Sequence, residues 1–327
     1  MMEWLTDLSA NLATPLGLTA AMALLAMSVR CLWAVGVPSV AGVACGALAG
    51  YLAANMLQAG LSVAWALLAG GLAGFWFGLV LAWGAARLPP AWQGLASLAL
   101  LGLVLPLARL LPDWTGGREG LALDSTPPAL WSFLALALGL LLAARLEGSW
   151  FGRAAIALRQ DAAVAAGLGI QRPAILGLAY GFAGLLGGWG GVALVLTRGA
   201  VAPGMFSTSL GLLALAAALL GGAYHWLGPW LGAMLIVLPS ALVLDEGSAI
   251  QDFAVALVVL ALVIFLPRGL LDPRDSSRRA ARARHRQRSA VPAMAPVDDR
   301  PRRRRSSGGP HRSRLDAAIK RRGGGPA

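Results

Sequence analysis

Lysine occurs once in this chain of 327 residues, as Lys320, and no glycine-rich turn precedes it. A P-loop needs a lysine after such a turn to hold phosphates. The chain therefore has no ATP site of that kind, and any ATP hydrolysis linked to it comes from another protein. Charge is scarce as well: 13% of the residues are charged, 57% are hydrophobic and the mean hydropathy is +0.69. Soluble domains hold roughly 25% charged residues, so water is not the main solvent of this chain. Cysteine is limited to Cys31 and Cys45, both inside apolar segments, where they read as small buried thiols and not as a disulfide framework. His225, in GGAYHWLGP, reads as a structural turn residue, and no His/Cys/Asp set has the spacing of a metal site. No metal, bound cofactor or catalytic residue is expected. The first residues, MMEWLTDL, carry Glu3 and Asp7 but no Lys or Arg. They lack the basic region of a cleavable signal peptide, so the first apolar segment is expected to stay in the membrane.

The formal net charge of +12 is concentrated at one end. From Asp272 onward there are 17 basic and 5 acidic residues, whereas residues 1–271 hold ten of each. The stretch 272–327 is rich in Arg, Ser, Gly and Pro and almost free of aliphatic side chains. It cannot bury enough apolar surface to offset the entropy of ordering, and is expected to be a disordered tail. Arg302–Arg305 could attract phosphates of nucleic acid or of anionic lipid. Without interleaved aromatic residues for base stacking, the tail reads as solvated, with no nucleic-acid partner.

What remains is a series of apolar runs. A membrane-crossing helix needs about 20 mainly apolar residues, and nine stretches qualify or nearly do: 12–33, 38–57, 61–84, 93–111, 129–146, 173–197, 208–222, 228–244 and 250–267. The seventh is short enough to be a half-span. The expectation is an all-α, polytopic membrane protein of about nine transmembrane helices (8–10), with residues 1–271 as its transmembrane domain. Glycine pairs such as Gly70–Gly71, Gly187–Gly188 and Gly221–Gly222 suit close helix approach in a bilayer.

Nine alternating spans place Arg87, Arg145, Arg153, Arg159, Arg172 and the tail from Arg268 on one side, which by the positive-inside rule is the cytoplasm. Glu3, Asp7, the segment from Asp113 to Asp124, and Asp245, Glu246 and Asp252 then lie outside; Arg109, Arg118 and Arg198 depart from the rule. Residues 112–128 read as a turn-rich external loop and residues 147–172 as a polar, helix-prone cytoplasmic segment. Nearly every Asp and Glu maps to a loop or helix end, which argues against an ion-coupled carrier with a carboxylate in its spans.

Four motifs occur in order. Gly152–Pro173 reads GRAAIALRQDAAVAAGLGIQRP, Asp113–Leu121 reads DWTGGREGL, Leu220–Ala233 reads LGGAYHWLGPWLGA and Leu266–Leu270 reads LPRGL. Together they resemble the LivM-type permeases of branched-chain amino acid ABC transporters. In that family they run approximately GRALRAIREDExAAxxMGIN, TGGxxGL, LGGxGxxxGPxxGA and PRGL. In the first motif, Gly152, Arg153, Ala154, Arg159, Asp161, Ala165, Gly169 and Ile170 match, whereas Gln160, Ala162 and Ala166 stand where the family has acidic residues. The resemblance spans about residues 15–271 and is strongest from residue 110 onward. Near the N-terminus the pattern GxxSLGxxxFxxxGAY retains Gly36, Ser39 and Tyr51.

The resemblance implies an ABC importer permease fold at the cell inner membrane, multi-pass, with a cytoplasmic C-terminus. It implies that residues 147–172 are the coupling segment that seats on an ATPase, through Arg153, Arg159, Asp161, Ala165, Gly169 and Ile170. Thr115, Gly116, Gly117, Gly221, Gly222, Gly228 and Pro229 would be structural or gating residues, and Gly36, Ser39 and Tyr51 would border a substrate path. The implied partners are a second, homologous permease, two cytoplasmic ABC ATPases that use ATP and Mg, a periplasmic solute-binding protein and membrane lipid. The expected cargo is a small polar solute, by default a branched-chain amino acid, moved by alternating access. The competing readings are an ATP-independent carrier or channel, and a membrane anchor with a basic tail.

Overall fold

The computed structural model describes residues 2–123, 127–222 and 225–243, together with Leu257. These residues are almost entirely helical, because in hydrocarbon every backbone N–H and C=O must find its partner within the chain. In order they form α1 (Met2–Ala34), α2 (Ala41–Gln58), α3 (Val63–Ala85), α4 (Pro90–Leu110), the single turn α5 (Pro112–Thr115), β1 (Leu121–Ala122), α6 (Leu130–Gly148), α7 (Trp150–Gln160), α8 (Ala162–Gly167), α9 (Arg172–Arg198), β2 (Ala200–Val201), α10 (Thr208–Gly221) and α11 (Gly228–Val243). Eight of the nine expected spans fall on helices. The ninth, 250–267, and the tail 272–327 lie outside the described residues, apart from Leu257. Among the described residues, five segments are long and apolar enough to cross a membrane: Ala13–Ala34, α3, α4, α6 and α9. The protein is thus a polytopic all-α membrane protein. The short seventh stretch, expected from its length, is the 14-residue α10.

The centre of the bundle is α9, which packs against α1, α2 and α3. Its sequence explains the position. One glycine edge, Gly184 and Gly188, meets Gly70 and Gly74 of α3; a second, Gly187 and Gly191, meets Gly42 and Gly46 of α2. A Cβ added at Gly184 would overlap the carbonyl oxygen of Gly74, and one at Gly187 or Gly191 would overlap that of Gly42 or Gly46. Lipid tails are as apolar as leucine, so no hydrophobic drive holds such helices together; close backbone packing takes its place. Outside this centre, α3, α4 and α6 turn large apolar side chains outward, including Trp76, Val80, Leu103 and Leu130. Such a surface suits a bilayer.

Topology separates two ends. The α1–α2 turn, the α3–α4 loop, the end of α6, the short helices α7 and α8 and the start of α9 share one end. The ends of α2, α4 and α9 share the other, closed by the antiparallel pair Leu121↔Val201 and Ala122↔Ala200. Arg87, Arg145, Arg153, Arg159 and Arg172 all fall at the first end, as the alternation of spans predicts.

Candidate functional site

The segment between α6 and α9 is two short helices with well-defined ends. Ser149 caps α7: its hydroxyl accepts from the Gly152 N–H at 3.4 Å and donates to the Leu146 carbonyl at 2.7 Å. A Cβ at Gly152 would lie 2.6 Å from the Leu146 oxygen, so this turn is tight enough to require glycine. The buried face of α7 is Phe151, Ala154, Ala155 and Leu158, at the spacing of one helix stripe. Phe151 holds it to α9 through an edge contact with Phe182, ring centres 5.6 Å apart.

Asp161 ends α7 and begins α8. Its extended backbone (φ −157°, ψ 112°) breaks the helix, and its carboxylate accepts from the N–H groups of Ala163 at 2.8 Å and Val164 at 3.1 Å. These are donors that a helix start leaves without intrahelical partners. At the other end the Ile170 N–H reaches the Ala165 carbonyl and the Gly169 N–H the Ala166 carbonyl, both at 3.0 Å. With Gly169 at φ +79°, this is the Schellman closure of a helix. Four positions of the first motif are accounted for by these contacts: Asp161 starts α8, Ala165 is buried beneath it, and Gly169 with Ile170 stops it. The outward face is apolar, with Val164 60% and Leu168 72% exposed one turn apart.

The two arginines of the motif behave differently. Arg153 is exposed and donates to the Gly148 carbonyl at 3.0 Å. Arg159 instead turns inward, its guanidinium 5.9 Å from the Trp33 ring centre and its stem beside Gly36. It thereby ties α7 to the α1–α2 turn. Nearby, Arg30 of α1 pairs with Glu147 of α6 at 2.5 Å.

At the opposite end, Thr115 donates to the carbonyls of Ala108 and Leu111, the latter at 2.7 Å, and accepts from the Gly117 N–H at 3.2 Å. Gly116 and Gly117 have φ of +71° and +64°. Asn55 donates to the Trp114 carbonyl and Gln58 to the Ala122 carbonyl, both at 2.8 Å. The TGG loop is therefore tied across the end of α2. In the third motif, α10 and α11 meet so closely that a Cβ at Gly221 would overlap the Gly228 oxygen, and one at Gly232 the Ala217 oxygen. Pro229 opens α11 beside this contact. The His225 ring nitrogen Nδ1 accepts from the Leu227 N–H at 3.2 Å, in keeping with a turn residue.

Gly36, Ser39 and Tyr51 are not brought together. Gly36 sits in the α1–α2 turn. Ser39 is fully buried just before α2, its hydroxyl accepting from the Ala41 N–H at 3.2 Å. Beside it lies a buried polar set absent from the sequence reading: Tyr180 donates to Gln93 Oε1 at 3.1 Å, and Ser97 accepts from the Val40 N–H at 3.0 Å. Its signal was there to find, two polar residues one turn apart in apolar α4. Tyr51 lines an apolar cleft of about 490 Å³ between α2, α3 and α4, with Thr115 at its edge. The Tyr51 hydroxyl is buried and has no hydrogen-bond partner among the described residues. Among those residues no group of three or more His, Cys, Asp or Glu could hold a metal ion.

Comparison with known proteins fits this geometry. The family described as branched-chain amino acid transport system / permease component matches residues 11–266. The autoinducer 2 import system permease protein LsrC of Yersinia pseudotuberculosis is 34% identical over 233 residues, covering 64% of this chain and 63% of that protein. LsrC of Escherichia coli O157:H7 is 33% identical over 253 residues, 71% of this chain and 70% of that protein. The chain thus spans a little under two thirds of the length of the first of these relatives. No solved structure matches it. With nearly the whole helical region matched, from α1 to beyond α11, the chain belongs to the branched-chain amino acid transport system permease family, whose members are membrane subunits and not enzymes.

Proposed function

We propose that this chain is one permease subunit of an ATP-driven ABC importer in the cell inner membrane, moving a small polar solute inward by alternating access. The observation that carries the reading is the α7–α8 unit: a capped, two-helix module, anchored on α9 through Phe151 and presenting Val164 and Leu168 outward. A rigid short helix with an apolar face suits docking into a groove of a partner. The partners are two cytoplasmic ATPases, a second permease and a periplasmic solute-binding protein, and the C-terminus lies on the ATPase side. Closure of the ATPases pulls α7–α8, and α9 carries the displacement into the glycine-packed centre. Arg153 faces the ATPase, while Arg159 transmits within the permease.

The cargo is a small solute with polar groups. The family description favours a branched-chain amino acid, whereas the names of the two relatives favour autoinducer 2. Of the three path residues, Tyr51 is the one taken to meet the solute, a reading supported by its buried hydroxyl, which has no hydrogen-bond partner among the described residues.

Cysteine crosslinking tests the docking. Cys31 and Cys45 are buried, so thiol reagents report on introduced cysteines. Cysteine at Ala162 or Ala166, both exposed, is expected to link to the co-expressed ATPase. Failure to link in a complex that still transports would favour an ATP-independent carrier. Uptake of leucine and of autoinducer 2 by vesicles holding the complex decides the cargo.

A further inference from the structure

A second feature lies at the arginine-rich end. A cavity of about 540 Å³ opens between the α1–α2 turn, the α3–α4 loop, the α7–α8 junction and the start of α9. Arg87, Arg159 and Arg172, from three separate parts of the chain, line it, and among the described residues no lining residue is acidic. Like charges gathered in one partly enclosed space repel and favour a counter-anion. Pro90 and Arg172, also in its wall, are the first residues of α4 and α9. The positive ends of two helix dipoles therefore add to the guanidinium charges of Arg87 and Arg172.

The surroundings indicate which anion. Trp83, in the last turn of α3, is 72% exposed, and Trp92, in the first turn of α4, is 61% exposed. Exposed tryptophans at the ends of apolar spans mark the level of lipid headgroups. The Arg87 guanidinium lies over the Trp83 ring, 4.7 Å from its centre, which holds it at that depth. Below this level Val80 of α3 and Leu95 of α4 turn outward and offer an apolar track for acyl chains. Guanidinium groups match phosphate oxygens with paired hydrogen bonds.

We propose that this cavity binds the phosphate of an anionic phospholipid through Arg87 and Arg172, with Arg159 at its α7 wall. The bound lipid bridges the α3–α4 loop to the α7–α8 unit and stiffens the joint between them. The site is independent of the cargo, but its α7–α8 wall, with Arg159 and Ala162, belongs to the segment proposed above to meet the ATPase.

The test uses the full-length chain, purified in detergent and examined by native mass spectrometry with phosphatidylglycerol, phosphatidylcholine and inorganic phosphate as probes. Phosphatidylglycerol is expected to be retained over phosphatidylcholine, a preference that Arg87→Gln with Arg172→Gln lowers about tenfold. Arg145→Gln with Arg153→Gln, at the same end but outside the cavity, should leave the preference in place. Should the double variant not fold, Ala162→Trp occupies part of the cavity mouth without removing charge and should lower the preference. Equal retention of the two lipids, or an undiminished preference in Ala162→Trp, overturns the proposal. Displacement of phosphatidylglycerol by millimolar inorganic phosphate would assign the cavity to a free anion and overturn the lipid assignment. Unchanged lipid binding in the Arg87/Arg172 variant, with loss of a co-purified ATPase, would give the cavity to a carboxylate of that protein and also overturn it.

Discussion

Gly74 and Gly184 are mutually exclusive with any side chain: the carbonyl oxygen of each occupies the place where a Cβ on the other would stand. The contact is backbone against backbone, so neither side can yield by rotating a side chain. Gly184→Ala should therefore separate α3 from α9 and cost about 1–3 kcal/mol, the range for overpacking a close contact. A lower midpoint of thermal unfolding in detergent is the expected result. Gly84, at the end of the same α3, has nothing within 4 Å of its Cβ position; Gly84→Ala should leave the midpoint unchanged or raise it.

The ends of α8 give a graded series. Asp161→Ala removes the acceptor for two N–H groups and should cost about 1 kcal/mol of local helix stability, whereas Asp161→Ser retains most of the cap. Gly169 lies at φ +79° in open space, so Gly169→Ala carries only the backbone penalty of roughly 1 kcal/mol. Gly167 is also in open space but within α8, without a positive φ, so Gly167→Ala should protect the helix. Amide exchange across 162–170 should be fastest in Asp161→Ala and Gly169→Ala, slower in Asp161→Ser and slowest in Gly167→Ala. If the coupling reading holds, solute-stimulated ATPase activity follows the same ranking.

Arg30 and Glu147 join α1 to α6 with side-chain exposures of 11% and 32%. Glu147→Gln leaves a mostly buried guanidinium without its carboxylate, at a cost of roughly 2 kcal/mol once the partial exposure of Glu147 is discounted. Replacing both, Arg30→Met with Glu147→Leu, should cost less than the single change. A double-mutant cycle read by denaturation in detergent checks this. Two additive single effects would show that the pair carries no coupling.

Gly222 connects α10 to the following turn with φ +111° and ψ 106°. An L side chain is strained there, and Gly221 beside it touches Gly228 backbone to backbone. Gly222→Leu should lower the amount of assembled protein recovered from membranes by several-fold. Normal recovery with altered solute preference would place this turn on the solute path instead.

Tyr51→Phe removes a buried hydroxyl that has no partner among the described residues. Loss of an unpaired polar group should leave stability equal or slightly higher. If the hydroxyl meets the solute, uptake falls about fivefold, the worth of one net hydrogen bond of roughly 1 kcal/mol. Unchanged uptake would remove Tyr51 from the path.

The sequence alone determined what depends on solvent and local backbone. Runs of apolar residues specified helices, because hydrocarbon offers the backbone no other partner, and eight of the nine expected spans fall on helices. Asp161 and Gly169 could be read as punctuation of the 147–172 segment, since capping is a property of neighbours in sequence. Which residues meet across the bundle was decided only by tertiary structure. Glycine pairs announced close contacts but not that Gly184 faces Gly74 while Gly187 faces Gly42, because that choice depends on how α9 is rotated against two helices at once. The same holds for Arg159, turned inward onto Trp33, and for the cavity that draws Arg87 and Arg172 together from positions 85 residues apart. Charge scattered along a chain becomes a site only when packing brings it to one place.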